Sequence, residues 1–418
     1  MRAPPRSGCG SLPTRSAAAS SREVSLSQGG GFGEGWREED TQDRYGTQGV
    51  WGDQGARVIL LASTIDGNIG GIPVVNRLVL EAARDARLSG GGVALHDSHT
   101  ASWLSDWPGS AAAGGSPLRF SLKALRRTHW AKNSVILVTH VRLCPVGRAL
   151  KRLSGGELVV FLHGVEAWRP QNRRTLWGLR ACDRFVSNSH FTLRRFRERN
   201  PLLANVPGDV SFLPARPLSP APSLVNAAPP RVTLVGRLWG RGLLKGQRQL
   251  IDLWPQVQAL HPDAELWIVG EGAGRADLEL HAKKSGGNIV FPGGVSDDEL
   301  SRIYASTSVY AMPSKGEGFG LVFAEAMAHG VPCVASKQDA GSEVVLDGKT
   351  GLTVDPDNPH ETLGAILRLL GDADLRSRLG EAGRLRVQRR FSPELFQQRI
   401  QRVLQGLRIR ETTDTDAE

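Results

Sequence analysis

The sequence predicts two α/β domains, each a parallel sheet wound by helices on both faces, set against each other across a cleft. Short apolar runs ending in glycine or turn residues alternate with helical patterns, and a proline-dense break divides that series in two. A chain of 418 residues suits two domains and a tail.

Residues 1–52 are rich in Ser, Ala, Arg and Gly and read as a disordered extension without the apolar core of a secretory signal. Order is expected from ARVILLAS (56–63), a strand running into DGNIGG, whose Gly70 and Gly71 open a helix-patterned stretch. SVILVTH (134–140), ELVVFLHG (157–164) and CDRFVSNS (182–189) continue the strands of a first domain placed at 53–224. The stretch 201–230 is dense in proline, and its later part reads as a linker. A second domain, 225–395, takes its strands from RVTLVGR, AELWIVGEG, NIVFPGG, SVYAMPS, PCVAS and GLTVD. Residues 396–418 hold a helix, of the kind that in two-lobed folds like this often crosses back to the first domain, with arginines able to touch lipid, and a tail.

Composition narrows the function classes. Four cysteines lie far apart with no C-x-x-C pair, which argues against a disulfide scaffold or cysteine zinc site and fits a reducing compartment. No stretch reaches the roughly 18 consecutive apolar residues of a membrane-spanning helix. The net charge of +10 is uneven: residues 53–224 hold 23 basic and 11 acidic side chains, whereas 225–418 hold 23 and 25. The excess reads either as an anionic partner on the first half, a phosphate-rich lipid surface or a pyrophosphate-linked substrate, or as a solvated basic surface kept for solubility. Nucleic acid is disfavoured, because no basic motif interleaved with aromatics appears there.

The stretch SKGEGFGLVFAEAMAHGVPCVAS (314–336) carries the strongest chemical signal. Gly316, Gly318 and Gly320 let backbone amides approach a ligand, and the helix beginning near Gly320 turns its positive end toward the cleft, which suits phosphate. Phe319 lies within this loop. Glu317 and Glu325 stand eight positions apart, one at the helix mouth and one within the helix. Alone such a pair reads as two solvated carboxylates; in a glycine frame at a strand-to-helix junction it reads as a functional pair, one carboxylate facing the cleft and the other able to bond a sugar hydroxyl.

These residues resemble the donor half of retaining GT-B glycosyltransferases of family 4. Glu317 and Glu325 match that family's Glu-x7-Glu signature. In VGRLWGRGLLKG, Arg237 and Lys245 match the cations that grip the nucleotide diphosphate, with Lys245 preferred over Arg241 because Gly246 follows it. FPGGVSDDEL resembles the segment whose backbone reads the base, making Gly294 and Val295 candidates. DAGSEVV departs from the usual G-x-P-E-V-V pattern at Ala340 and Ser342, so no catalytic role is assigned there.

The first half resembles the acceptor domain less specifically. Gly70 and Gly71 look like the loop that meets the donor diphosphate. FLHGVEAWRP resembles the H-G-x-E-x-W segment, with His163 near the reacting sugar and Glu166 a weaker candidate. Ser189 and Thr192 fit either an acceptor segment or simple helix caps. The D-x-D pairs Asp355/Asp357 and Asp372/Asp374 read as turn and capping residues.

The resemblance implies a retaining transferase moving a sugar from a nucleotide-diphosphate-sugar to a glycan or lipid-linked hydroxyl, without metal or other cofactor. Arg237 and Lys245 would stabilise the pyrophosphate, Glu317 the sugar, Glu325 the ribose, and His163 the reacting centre. A cytoplasmic protein touching the inner face of an anionic membrane is expected. The alternatives are a nucleotide-sugar epimerase of the same fold, or a non-catalytic nucleotide-sugar-binding protein.

Overall fold

The computed structural model describes residues 57–66, 71–107, 109–127, 134–218, 229–238 and 245–406. The expected extension 1–52, Gly70, Arg241, the middle of the linker and the tail beyond residue 406 lie outside the described residues.

The first lobe runs β1 (Arg57–Ala62), α1 (Gly71–Asp85), β2 (Ser89–Ala94), α2 (Trp103–Asp106), β3 (Ala111–Ala112), α3 (Pro117–Leu125), β4 (Ser134–Val138), α4 (Cys144–Ser154), β5 (Glu157–Leu162), α5 (Arg173–Leu179), β6 (Arg184–Ser187), α6 (His190–Arg199) and β7 (Gly208–Val210). All its strands are parallel, in the order β3-β2-β1-β4-β5-β6-β7. After their first residues, Arg57, Ser134 and Glu157, the strands β1, β4 and β5 are wholly apolar because helices cover both faces of the sheet.

The second lobe runs β8 (Arg231–Val235), α7 (Gln247–Leu260), β9 (Glu265–Val269), α8 (Arg275–Ser285), β10 (Ile289–Gly293), α9 (Asp297–Ala305), β11 (Val309–Met312), α10 (Leu321–Ala328), β12 (Cys333–Ser336), α11 (Gly341–Val344), β13 (Gly351–Val354), α12 (Pro359–Gly371), α13 (Ala373–Arg390) and α14 (Pro393–Leu404). Its parallel order is β10-β9-β8-β11-β12-β13. Each sheet therefore reverses direction once, between β1 and β4 and between β8 and β11, and ligands of such sheets sit at the strand C-terminal ends beside that reversal.

The chain returns to the first lobe at its end. Helix α14 lies on α1, with Gln397 Nε2 donating to Asp85 Oδ2 at 2.5 Å. Between the lobes, the Phe212 ring meets Phe319 and Phe391 with centroids 6.0 and 5.7 Å apart. Arg399, one of the arginines expected to touch lipid, is instead buried, its guanidinium 5.9 Å from the Phe212 ring. Burial in that apolar setting lowers its pKa to about 10. The proline-dense break also contains β7, and its next residues cross between the lobes, where Ala215 N donates to Phe391 O at 2.9 Å.

Candidate active site

The second sheet reverses where β8 delivers Arg237 and β11 delivers the loop 313–320. Arg237 is exposed two residues beyond β8, and its carbonyl accepts from Gln247 Nε2 at 3.4 Å. Lys245, just before α7, pairs its ammonium with Glu317 Oε2. The other Glu317 oxygen accepts from Gly318 N at 3.1 Å. Both side chains keep some exposure, 27% for Lys245 and 17% for Glu317, so the pair remains reachable by a ligand.

Asp339 organises this loop from below. Its Oδ2 accepts from Ser314 Oγ at 2.7 Å and Glu317 N at 3.0 Å, and its Oδ1 accepts from Gly341 N at 3.0 Å. Burial raises its pKa to about 6, and the nearby Glu317 charge adds to that shift.

In the first lobe, His163 follows β5 and is buried. Its Nε2 lies 2.9 Å from Thr139 O, and a carbonyl only accepts, so Nε2 carries the hydrogen. Nδ1 is then a buried acceptor with no partner among the described residues. Burial pushes the imidazole pKa down to about 4, leaving the ring neutral near pH 7. Glu166 folds the adjacent turn, its Oε1 accepting from His163 N at 2.9 Å and Gly164 N at 3.1 Å. That is a loop-capping role.

Backbone contact joins the two half-sites. A methyl group on Gly318 would sit 2.2 Å from His163 O and 2.9 Å from Gly164 Cα, so only glycine allows this approach. Ser189 Oγ and Thr192 Oγ1 both donate to Gly318 O, at 2.7 and 3.1 Å. Ser189 also caps α6, accepting from Thr192 N at 3.0 Å, so the cap and the bridge are one hydroxyl. Glu343 completes the seam, its carboxylate accepting from His190 N at 2.8 Å and from Phe191 N at the positive end of α6. A methyl at Gly71 would stand 3.9 Å from Leu321 Cδ1, which places the start of α1 opposite α10.

Four further expected site residues are placed as follows. Glu325 is 1% exposed, and both its oxygens are engaged, Oε1 by Arg216 Nε at 2.5 Å and Oε2 by Tyr304 OH at 3.1 Å. Arg216 also bonds Asp297 Oδ1 at 2.9 Å, so the linker arginine covers the carboxylate expected to meet a ribose. Phe319 turns its ring into the aromatic seam, 5.5 Å from Phe391, rather than toward a ligand. Gly294 is exposed beyond β10, its amide donating to Glu271 Oε1 at 3.2 Å, while Val295 packs on the core. Asp372 caps α13 and Asp355 closes a turn with Asp357 N at 2.9 Å.

Asp339 and Arg216 escaped the sequence reading. An aspartate at a strand end before Ala-Gly is the one available signal for Asp339. Arg216 lies 109 residues from its partner Glu325 and has none.

His163 and Asp339 bias stability in opposite directions over one acidic window. Between about pH 4 and its ordinary 6.5, His163 binds a proton only when unfolded, so its contribution to stability grows as pH rises. Between its ordinary 3.8 and about 6, Asp339 binds a proton only when folded, so its contribution falls as pH rises. Urea-unfolding free energies of wild type minus His163→Leu should rise with pH there by about 3 kcal/mol, and those of wild type minus Asp339→Ala should fall by a similar amount. Two parallel difference curves would contradict these assignments.

A family profile described as Glycosyl transferases group 1 matches residues 216–386. Over 277 residues, 61% of this chain and 72% of the relative, the sequence is 30% identical to the GDP-mannose-dependent monoacylated alpha-(1-6)-phosphatidylinositol monomannoside mannosyltransferase of Corynebacterium glutamicum. The chain belongs to the glycosyl transferases group 1 family. This glycosyltransferase is also 37% identical over 164 residues to the GDP-mannose-dependent alpha-(1-6)-phosphatidylinositol monomannoside mannosyltransferase of Mycolicibacterium smegmatis, covering 37% of this chain and 42% of that one. Its fold is GT-B. Sucrose-phosphate synthase from Thermosynechococcus elongatus superposes with a TM-score of 0.71 at 21% identity, covering 83% of this chain and 98% of that one. Anabaena HepE in complex with UDP and glucose gives 0.68 at 19%, covering 84% and 100%.

Proposed function

We propose that this glycosyltransferase moves a sugar, with retention at the anomeric carbon, from a nucleotide-diphosphate-sugar held by the second lobe to a hydroxyl of a membrane glycolipid presented at the first. The observation that carries the reading is the Lys245–Glu317 pair at the reversal of the second sheet, pressed through Gly318 against the buried His163. Arg237 and Lys245 supply positive charge where the departing pyrophosphate gains negative charge, without a metal ion. Glu317 is placed to hold sugar hydroxyls, and the unpartnered Nδ1 of His163 is suited to accept a hydrogen bond from one. With no carboxylate assigned as a covalent nucleophile, the departing phosphate accepts the proton of the incoming hydroxyl on the same face. Gly71, Gly294, Val295, Gly320 and the Phe319 amide complete the proposed donor contacts, and Glu325 meets the ribose only once Arg216 yields.

The relatives named above act on GDP-mannose and phosphatidylinositol mannosides, which makes GDP-mannose the first donor to try and a phosphoinositol glycolipid the first acceptor. With such an acceptor the protein works peripherally at a membrane, and the reading takes that face to be the cytoplasmic one. No described helix is long and apolar enough to cross one.

Thermal denaturation with GDP, UDP and ADP tests the donor site. One of them should raise the midpoint in wild type, and Arg237→Ala should lose most of that rise. A rise preserved in Arg237→Ala would remove the residue from the diphosphate site. Proton NMR of the transfer product decides retention, since an α-donor must yield an α-linkage.

A further inference from the structure

The outward face of the first lobe carries a second pattern that the transfer site does not use. Helices α3, α4 and α5 lie side by side over the hydrophobic layer containing Phe120, Leu150 and Leu179, on the side of the sheet away from α1 and α14. Their sequences, PLRFSLKAL, CPVGRALKRLS and RRTLWGL, hold seven basic residues and no acidic one. Of the eight large apolar side chains most exposed among the described residues, four stand on these helices: Leu118 at 70%, Leu122 at 50%, Leu153 at 64% and Trp177 at 49%.

The apolar and cationic groups are interleaved. A shallow hollow of about 380 Å³ opens between the three helices, lined by Leu125, Val146, Ala149 and Trp177 with Arg174 at its rim. The Arg148 guanidinium stacks 4.4 Å over the Trp177 ring and donates to Trp177 O at 2.8 Å. Such a surface suits the boundary of a bilayer, where leucines enter the acyl region, the indole sits at headgroup depth and arginines meet phosphate. A second copy of the chain fits poorly, because pairing like faces would oppose two wholly cationic surfaces.

We infer that the α3–α4–α5 face docks on an anionic lipid bilayer. This rests on the membrane-glycolipid reading above and adds the surface by which the enzyme reaches its acceptor. Because each of these helices follows a parallel strand, their first turns lie toward the strand C-terminal edge that bears His163. Leu118 and Arg174, both in first turns, are therefore on the cleft side, and docking would bring the cleft mouth to the membrane surface.

Flotation of the full chain with phosphatidylcholine vesicles, with and without phosphatidylglycerol, tests the inference. Wild type should float with the anionic vesicles, less at high salt, and remain behind with the neutral ones. Leu118→Ser/Leu122→Ser and Arg119→Glu/Arg174→Glu should each weaken flotation at least about tenfold. The nucleotide-induced midpoint rise, measured on the same samples, should match wild type and establish that each variant is folded. Wild type left behind by anionic vesicles, equal flotation with neutral ones, or variants that float like wild type would overturn the inference. Loss in the arginine variant alone would reveal a plain polyanion site and overturn it as well. If flotation fails while the nucleotide still raises the midpoint, the docking face falls and the donor site stands. The opposite result retains the docking face and removes the donor site.

Discussion

Gly318→Ala is expected to lower sugar transfer at least about a hundredfold, the scale of an ångström-level displacement of reacting groups. The added methyl meets His163 O at 2.2 Å and Gly164 Cα at 2.9 Å, and both are backbone atoms that no rotamer change can move aside. The lobes must part, and the hydroxyls of Ser189 and Thr192 then lose the Gly318 carbonyl. Nucleotide binding should largely persist, because every proposed contact except Gly71 lies in the second lobe. Small-angle scattering should report a wider particle. Transfer at the wild-type rate in a compact variant would show that the seam does not govern catalysis.

Glu317→Gln should reduce transfer by roughly a thousandfold while nucleotide affinity holds or tightens. The carboxylate pairs with Lys245, and its replacement leaves that ammonium to a pyrophosphate. Isothermal titration with the nucleotide, set beside initial transfer rates, separates the two effects. Weaker nucleotide binding together with unchanged transfer would assign Glu317 to the diphosphate rather than the sugar.

The second lobe was more legible than the first because its strands are short apolar runs bounded by glycines, and its loop chemistry is local in sequence. Strand β2 was not legible. Its SGGGVA has few side chains to announce a strand, and its glycines answer to close packing, since a methyl at Gly90 would strike Val58 O at 1.9 Å. Strand β7 is three residues long inside a proline-rich stretch and reads as linker. At the site, Lys245 and Glu317 could be nominated one by one, but their pairing across 72 positions follows only from the sheet reversal. The masking of Glu325 by Arg216 and the meeting of Gly318 with His163 are equally long-range, so periodicity and spacing carry no trace of them.

Much of the seam is drawn from main-chain atoms: the Gly318 and His163 carbonyls, and the His190 and Phe191 amides. Main-chain groups are common to nearly every amino acid, so the residues flanking those positions can drift without unfastening the halves. Side chains that shape acceptor choice can thereby change without disturbing the fastening that holds the donor lobe in place.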